Sequence, residues 1–214
     1  MSDWQLIGRR SSLYTRVVRV FSMELAVPLE LVHVSDIASL DPVQYGGHPA
    51  LKLPTLRIGD EHVFGTEQIC RRIASTARRS VRVAWPEDLR GSLCANAQEL
   101  VWHAMTAQVH WIMTVQLGHL PADNPSLAKA RAGFEGALRW LDGRLDDILR
   151  SLPAERDVSL LEVTLHCLVE HLPFRQTVDL EDFQALKAFS VHLAQRDSSR
   201  STQYQFESTP PRSS

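Results

Sequence analysis

Lys52-Leu53-Pro54-Thr55-Leu56 sets a proline just before a strand-like run, and Thr66-Glu67-Gln68-Ile69 opens a helix soon afterwards. Pro54 has no N–H to give to a sheet, and X-Pro is the one linkage at which a cis peptide bond costs little. A cis bond there would turn the N–H and C=O of Leu53 outward. These groups can pair with an extended peptide-like ligand, whose carboxylates a helix N-terminus can hold. The pattern predicts a binding site built largely from backbone.

Strand and helix patterns alternate over roughly the first eighty residues. They predict strands at 4–7, 29–34, 55–58 and 62–64 and helices at 13–25 and 66–75. The first two strands form a βαβ unit and should be parallel, whereas Gly59-Asp60 predicts a tight turn and an antiparallel hairpin. Residues 36–51 carry two prolines and two glycines, which indicates a loop with at most one irregular helix.

The rest of the chain has helical periodicity. A long helix should follow Pro86, and a second should start at Asn124 or Ser126 and run to about residue 149. Ser159 and Glu162 have the spacing of a capping box and predict a helix to residue 171. A last helix at 180–195 precedes a tail rich in Ser, Thr, Pro and Arg. The predicted organisation is an α/β domain at 1–76, a linker at 77–86, an all-α domain at 87–204 and a disordered tail at 205–214.

Composition excludes several classes of protein. The 214 residues carry 23 basic and 25 acidic side chains, so no net field attracts nucleic acid or an anionic membrane. No stretch has the apolar length of a membrane span, and the N-terminus lacks a secretory pattern. We therefore expect a cytoplasmic protein with neither nucleic acid nor membrane as a partner.

The cysteines and the histidine pair give no sign of a metal or redox site. Cys70, Cys94 and Cys167 are widely spaced and form no C-x-x-C motif, so we predict buried apolar residues. His166 and His171 are five residues apart and do not share a helical face, so we expect no metal.

The order of these elements resembles the glutathione S-transferase family, in which a thioredoxin-like N-terminal domain precedes an all-helical one. Four segments carry the resemblance: Leu6-Ile7-Gly8, Ser12-Leu13-Tyr14-Thr15-Arg16-Val17-Val18-Arg19, the run from His48-Pro49 to Leu56, and Phe64-Gly65-Thr66-Glu67-Gln68-Ile69. The resemblance spans about residues 4–204. It implies the glutathione transferase fold, glutathione as co-substrate without a metal, a small electrophile as second substrate, a homodimer and a role in detoxification.

The resemblance also assigns site residues. Ser12, with Ser11 as a close rival, would donate to the glutathione thiolate at the start of the first helix, although Ser12 also suits a simple N-cap. Leu53, Pro54, Thr66 and Lys52 would contact the peptide and its carboxylates. Gly65 stands where the family usually has Glu or Gln. Loss of that partner for the ligand amine would weaken binding by about 1 to 3 kcal/mol if the amine is buried unpaired, or by little if water replaces it.

The long helix carries candidates for an electrophile pocket. His103, Thr106 and His110 recur along it, and Trp102 adds an aromatic wall. An equally good interpretation is that the aromatic residues of this helix pack in the core or in a dimer interface and that its histidines are partly exposed.

Three functions fit the pattern. The first is conjugation of glutathione to an electrophile. Glutathione-dependent isomerisation of the maleylacetoacetate isomerase type is suggested by Ser11-Ser12, although Leu13 replaces the cysteine of that branch. A non-catalytic interaction protein with the transferase fold, like bacterial RNA-polymerase-associated relatives, is suggested by Gly65 and by Arg78, Arg79 and Arg82 in the linker.

Overall fold

Four short strands form one mixed sheet in the computed structural model, which describes residues 4–207. They are β1 (Trp4–Gly8), β2 (Glu30–His33), β3 (Thr55–Ile58) and β4 (Glu61–Phe64). The order is β2-β1-β3-β4, with β1 parallel to β2 and antiparallel to β3, and β3 antiparallel to β4. The predicted βαβ unit and hairpin are both confirmed.

Two helices pack together in this first unit: α1 (Leu13–Glu24) and α2 (Thr66–Ala74). The apolar residues that recur at helical spacing along the predicted first helix are all buried: Val17, Val18, Phe21 and Leu25. Residues 36–51 are irregular apart from one 3₁₀ turn, Pro42–Tyr45, as expected. The Tyr45 hydroxyl holds this loop together by donating to the carbonyl oxygens of Ile37 at 2.8 Å and Ser39 at 3.0 Å.

Residues 196–207 belong to the same unit as residues 4–81. We call residues 196–207 the C-terminal segment; it starts with the short helix α8 (Asp197–Ser201), which contacts α1. Arg19 donates to the carbonyl oxygens of Thr202 at 3.3 Å and Ser201 at 3.4 Å. The sequence predicted a disordered tail from residue 205, but Gln205 accepts a hydrogen bond from Arg10 and Glu207 accepts one from Ser11. Residues 208–214 of the predicted tail lie outside the described residues.

The second unit, Arg82–Gln195, is largely helical. Its helices are α3 (Gly91–Trp111), α4 (Pro125–Asp142), α5 (Leu145–Ser151), α6 (Leu160–Phe174) and α7 (Gln184–Leu193). A π-helical turn, Ile112–Gln116, extends α3, and 3₁₀ turns occupy Pro86–Asp88 and Leu180–Asp182. Within residues 4–207 no helix is long and apolar enough to cross a membrane. The α/β domain followed by helices agrees with the predicted fold class.

Local details of the second unit differ from the sequence expectations. The helix expected to reach residue 149 ends at Asp142, and α5 follows after Gly143 and Arg144. Two residues of the predicted linker form β5 (Val83–Ala84), which pairs in parallel with β6 (Val158–Ser159). These strands are too short to show a period.

The predicted capping box at Ser159 is wrong. Ser159 is the N-cap of α6, but its side chain makes no capping bond, and its Oγ has no partner within residues 4–207. Glu162 instead accepts two hydrogen bonds from Arg156, both at 2.7 Å. A bidentate guanidinium–carboxylate pair is stronger than one bond from a backbone N–H, so Glu162 turns away from the helix start.

The three cysteines are free and buried, which confirms their predicted role as small apolar residues. Burial raises the pKa of the Cys94 thiol, although the charge of Arg156 lowers it somewhat. A thiol of this kind is protonated and unreactive.

A glycine is required at position 8, the last residue of β1. A Cβ added there would lie 2.6 Å from two side-chain atoms of the buried Thr15. We expect Gly8→Ala to lower the free energy of unfolding by about 1 to 3 kcal/mol, because this core cannot expand without strain. Chemical denaturation measures the effect.

Gly133→Ala is the matched control, because a Cβ at that exposed position in α4 meets nothing within 4 Å. It should raise the free energy of unfolding by about 0.5 to 1 kcal/mol through helix propensity. Equal effects of the two substitutions would contradict this account of Gly8.

Candidate functional site

The sheet register brings three of the predicted motifs to one edge. Ile7 pairs with Thr55, and Thr55 pairs with Phe64, so the three residues form a row across the sheet. The next residues beyond this row are Gly8, Pro54 and Gly65. The loop before α1, the proline turn and the start of α2 therefore leave the sheet side by side.

The proline turn lies outside the ladder, because the first paired residue of β3 is Thr55. Pro54 is buried, and the Leu53–Pro54 peptide bond is cis. Thr55 fixes the turn by donating from Oγ1 to the Tyr45 carbonyl oxygen at 2.8 Å. The backbone of Leu53 is thus presented at the edge of the sheet, next to the loop that leads into α1.

Ser12 has a structural task at the start of α1. It is the N-cap residue, with extended backbone angles, and its Oγ accepts from the N–H of Thr15 at 3.2 Å. Such a cap satisfies one of the otherwise unpaired N–H groups of the first turn.

Ser11 instead presents two donors to an anion. Its side chain is almost fully buried, and its Oγ donates to Oε2 of Glu207 at 2.6 Å. Its N–H donates to Oε1 of the same carboxylate at 3.2 Å. The positive end of the α1 dipole favours an anion at this point.

Arg9 completes the charge balance around Glu207. Its guanidinium donates to Oε2 of Glu207 at 3.1 Å and to the carbonyl oxygens of Val34 and Ser35, each at 3.1 Å. The Nδ1 of His33 lies 3.9 Å from Oε1 of Glu207. Burial raises the pKa of the Glu207 carboxyl, but the hydrogen bonds from Ser11 and the charge of Arg9 outweigh it, so the pKa is lowered. The group is a carboxylate at neutral pH.

A second helix start lies at the same sheet edge. Gly65 is the N-cap of α2 and makes no side-chain capping bond, while Thr66 is the first helical residue. Gly65 has φ of 84°, a conformation that favours glycine, and a Cβ built there would find only Gln68 Cγ, at 3.9 Å. The helix thus starts with N–H groups that no side chain caps, which suits a carboxylate ligand.

Lys52 is exposed beside the proline turn, close to His48. Burial lowers the pKa of His48, and the charge of Lys52 lowers it further, against a backbone hydrogen bond that raises it. The His48 ring packs on Phe64, with 4.4 Å between ring centroids, and its Nδ1 accepts from the N–H of Ala50 at 3.1 Å. Because the lowered pKa disfavours a charged His48, Lys52 is the residue of this pair that supplies positive charge beside the turn.

Comparison with known proteins agrees with this geometry. Residues 6–80 match the family model described as glutathione S-transferase, N-terminal domain. The N-terminal part of the chain is thus similar to the N-terminal domain of glutathione S-transferases. No curated protein matches the sequence.

Solved structures extend the likeness of fold over the whole chain. A glutathione S-transferase from Methylobacterium radiotolerans, in complex with glutathione sulfonate, is 22% identical with a TM-score of 0.76, covering 99% of each chain. One from Methylobacillus flagellatus with glutathione bound is 21% identical with a TM-score of 0.74, covering 94% of this chain and 98% of the other. A Pseudomonas fluorescens family member with bound glutathione is 20% identical with a TM-score of 0.75, covering 95% and 100%. At these identities the likeness shows the glutathione transferase fold.

The residues predicted to line an electrophile pocket lie on α3, in the second unit. His103, Thr106 and His110 are exposed there, and Trp102 is half-buried. His103 Nε2 lies 3.1 Å from Oε1 of Glu99, and Thr106 donates to the Trp102 carbonyl oxygen at 2.9 Å. These contacts are local to the helix.

The two histidines of α6 are buried within their own unit. His166 lies between Ser190, at 3.3 Å from Nδ1, and Glu170, at 3.3 Å from Nε2. His171 Nδ1 lies 3.4 Å from the side-chain nitrogen of Gln108. Across residues 4–207, no three His, Cys, Asp or Glu side chains cluster as metal ligands would.

Sequence reasoning missed Arg9 and Glu207, which complete the anion position at α1. The sequence near Glu207 gives one local indication of order, because Tyr204 and Phe206 interrupt a run of mostly polar residues. Aromatic residues are unusual in a disordered tail and indicate packing.

The lowered pKa of Glu207 predicts a pH-dependent contribution to stability. A carboxyl whose folded pKa lies below its ordinary value of 4.5 stabilises the fold above that value and loses the effect as pH falls through the folded pKa. Near pH 7, Glu207→Gln should lower the free energy of unfolding by about 1 to 2 kcal/mol, because a charge-assisted bond is lost.

Urea denaturation of both proteins between pH 3 and pH 7 measures this difference, which should shrink below about pH 4.5. Glu61→Gln, at an exposed ion pair with Arg72, is the control and should change stability little. A difference that is constant with pH would contradict the ionised state of Glu207.

Proposed function

We propose that this protein binds glutathione at the sheet edge of its first unit, stabilises the thiolate and adds it to a small electrophile. The observation that carries the proposal is the pair of donors on Ser11, whose N–H and hydroxyl converge on a carboxylate at the start of α1. A donor pair that holds a carboxylate can also hold a thiolate.

Thiolate stabilisation is sufficient chemistry for such a reaction. A cysteine-type thiol titrates near 8.5, and a hydrogen bond to a charged acceptor is worth about 1.5 to 3 kcal/mol. One such bond lowers the thiol pKa by roughly 1 to 2, so much of the bound thiol ionises at neutral pH and releases its proton to water. The sulfur lone pair then forms the new C–S bond, helped by proximity. At the same time a π bond of the electrophile opens and its carbon or oxygen takes a proton from water, or a leaving group departs with its electron pair, as chloride does from 1-chloro-2,4-dinitrobenzene.

Ser11 is a better candidate for the thiol partner than Ser12. The Ser12 oxygen already accepts a capping bond from Thr15, whereas the Ser11 hydroxyl donates to an anion. We therefore assign the thiolate bond to Ser11 and the N-cap to Ser12.

The remaining contacts follow the order of the peptide. The N–H and C=O of Leu53, in the turn shaped by Pro54, would pair with the cysteinyl backbone, as a strand edge does. The start of α2 at Gly65 and Thr66 would hold the γ-glutamyl carboxylate, and Lys52 would attract the glycyl carboxylate. The glutathione bound in structures of similar fold supports this choice of ligand.

Trp102, His103, Thr106 and His110 remain the proposed wall of the electrophile pocket. The homodimer, the cytoplasmic location and the detoxification role remain predictions of the family resemblance. Isomerisation is less well supported than conjugation, because Leu13, which replaces the cysteine of that branch, is fully buried in the core. A non-catalytic role is the outcome expected if glutathione does not bind.

The serine assignments are tested by substituting each with alanine. Ser11→Ala should raise the pKa of bound glutathione by roughly 1 to 2 and lower turnover with 1-chloro-2,4-dinitrobenzene about tenfold or more. Ser12→Ala should lower the free energy of unfolding by about 1 kcal/mol through loss of the cap and leave the thiol pKa unchanged.

Thiolate absorbance near 240 nm against pH, together with calorimetric binding, gives the required measurements. If the wild-type protein neither binds glutathione nor ionises its thiol, the enzyme proposal is lost. If Ser12→Ala moves the thiol pKa and Ser11→Ala does not, only the choice of serine is wrong.

Gly65 is tested by giving the ligand amine a partner. Gly65→Gln and Gly65→Ala impose the same backbone cost at a φ of 84°, but only glutamine supplies an acceptor. Glutathione should therefore bind Gly65→Gln about tenfold more tightly than Gly65→Ala in calorimetric titrations. Equal affinities would show that the amine does not approach this position.

A further inference from the structure

We infer that Glu207 is a built-in competitor for the position of the glutathione sulfur, an inference that rests on the proposed function. The carboxylate accepts from both donors that we assign to the thiolate, the Ser11 hydroxyl at 2.6 Å and the Ser11 N–H at 3.2 Å. A thiolate and this carboxylate cannot use the same two donors together.

The carboxylate is mostly buried and is neutralised where it lies. Its side chain is 8% exposed, and the Arg9 guanidinium is 3.1 Å away. Arg9 is itself held by the carbonyl oxygens of Val34 and Ser35. The position is therefore organised for one negative charge, and the protein supplies that charge itself.

The C-terminal segment is anchored so that Glu207 reaches this position. The buried guanidinium of Arg16 lies 4.3 Å from the centroid of the Tyr204 ring, and Arg10 donates to Oε1 of Gln205 at 2.8 Å. Arg196 and Ser198 bind the carboxylate of Glu24 at the other end of the segment. Residues of α1 and of the loop before it thus hold the segment along its length.

The competition depends on charge at the sulfur position. A glutathione derivative with a negative group there needs the Ser11 donors and is repelled by Glu207, so it must displace the carboxylate. A neutral thioether needs no such donors and meets no such repulsion. Glu207 therefore selects against an anionic sulfur group, and its displacement is a condition for thiolate formation.

The test compares two ligands that differ at sulfur. Glutathione sulfonate is anionic there, and S-methylglutathione is neutral, while their carboxylates and amine are the same. Calorimetric titration of both ligands gives the ratio of their affinities for the wild type, Glu207→Gln and Glu207→Ala. Glu61→Gln makes the same change of net charge as Glu207→Gln at a surface pair with Arg72 and serves as control.

We expect Glu207→Gln and Glu207→Ala to raise the preference for glutathione sulfonate over S-methylglutathione about ten- to hundredfold, and Glu61→Gln to leave it unchanged. In Glu207→Gln the thiol pKa of bound glutathione should also fall. An unchanged preference, or an equal gain for both ligands, overturns the competition while the proposed function stands. If no variant binds either ligand, the proposed function fails and the competition fails with it.

Discussion

The row of paired residues Ile7, Thr55 and Phe64 is the constraint on which the first unit depends. It fixes where the chain leaves the sheet, because the next residues are Gly8, Pro54 and Gly65. A slip of one residue in either pairing would turn the buried Leu6 and Leu56 to the opposite face. The ladder that buries the core thus also aligns the three loops of the site.

The start of α1 shows how one set of donors can serve two purposes. Ser11 and Arg9 hold the Glu207 carboxylate, which stabilises the C-terminal segment against α1. Under the proposed function, the Ser11 donors are also those that the substrate thiolate requires. The fold and the ligand then compete for the same hydrogen-bond donors. A stronger bond to Glu207 stabilises the fold but weakens thiolate binding.

The sequence predicted best where apolar periodicity and turn residues agree. The bounds of β3, the hairpin at Gly59 and the inward face of α1 all follow from residues close together in the chain. The capping box failed because Arg156 offered Glu162 a stronger partner than the backbone, a competition that spacing does not reveal. Short β5 and β6 lack any period.

The anion position at the start of α1, where Ser11 and Arg9 hold the Glu207 carboxylate, was predictable only in part. The serines precede a helix, so their proximity to its positive end could be deduced locally. The contact between Ser11 and Glu207 joins residues 196 positions apart, and no local pattern encodes such a pairing. Which serine faces the anion also depends on the backbone angles at the N-cap. These angles direct the Ser12 side chain to the N–H of Thr15, from which it accepts a hydrogen bond.

The location of the C-terminal segment has a consequence for biosynthesis. The first unit contains both the earliest described residues of the chain and the last. During translation, the buried guanidinium of Arg16 cannot contact the Tyr204 ring until residue 204 has left the ribosome, which happens after residues 82–195 have been synthesised. The first unit, whose sheet residues are synthesised before the second unit, is therefore completed only after the second unit has been synthesised.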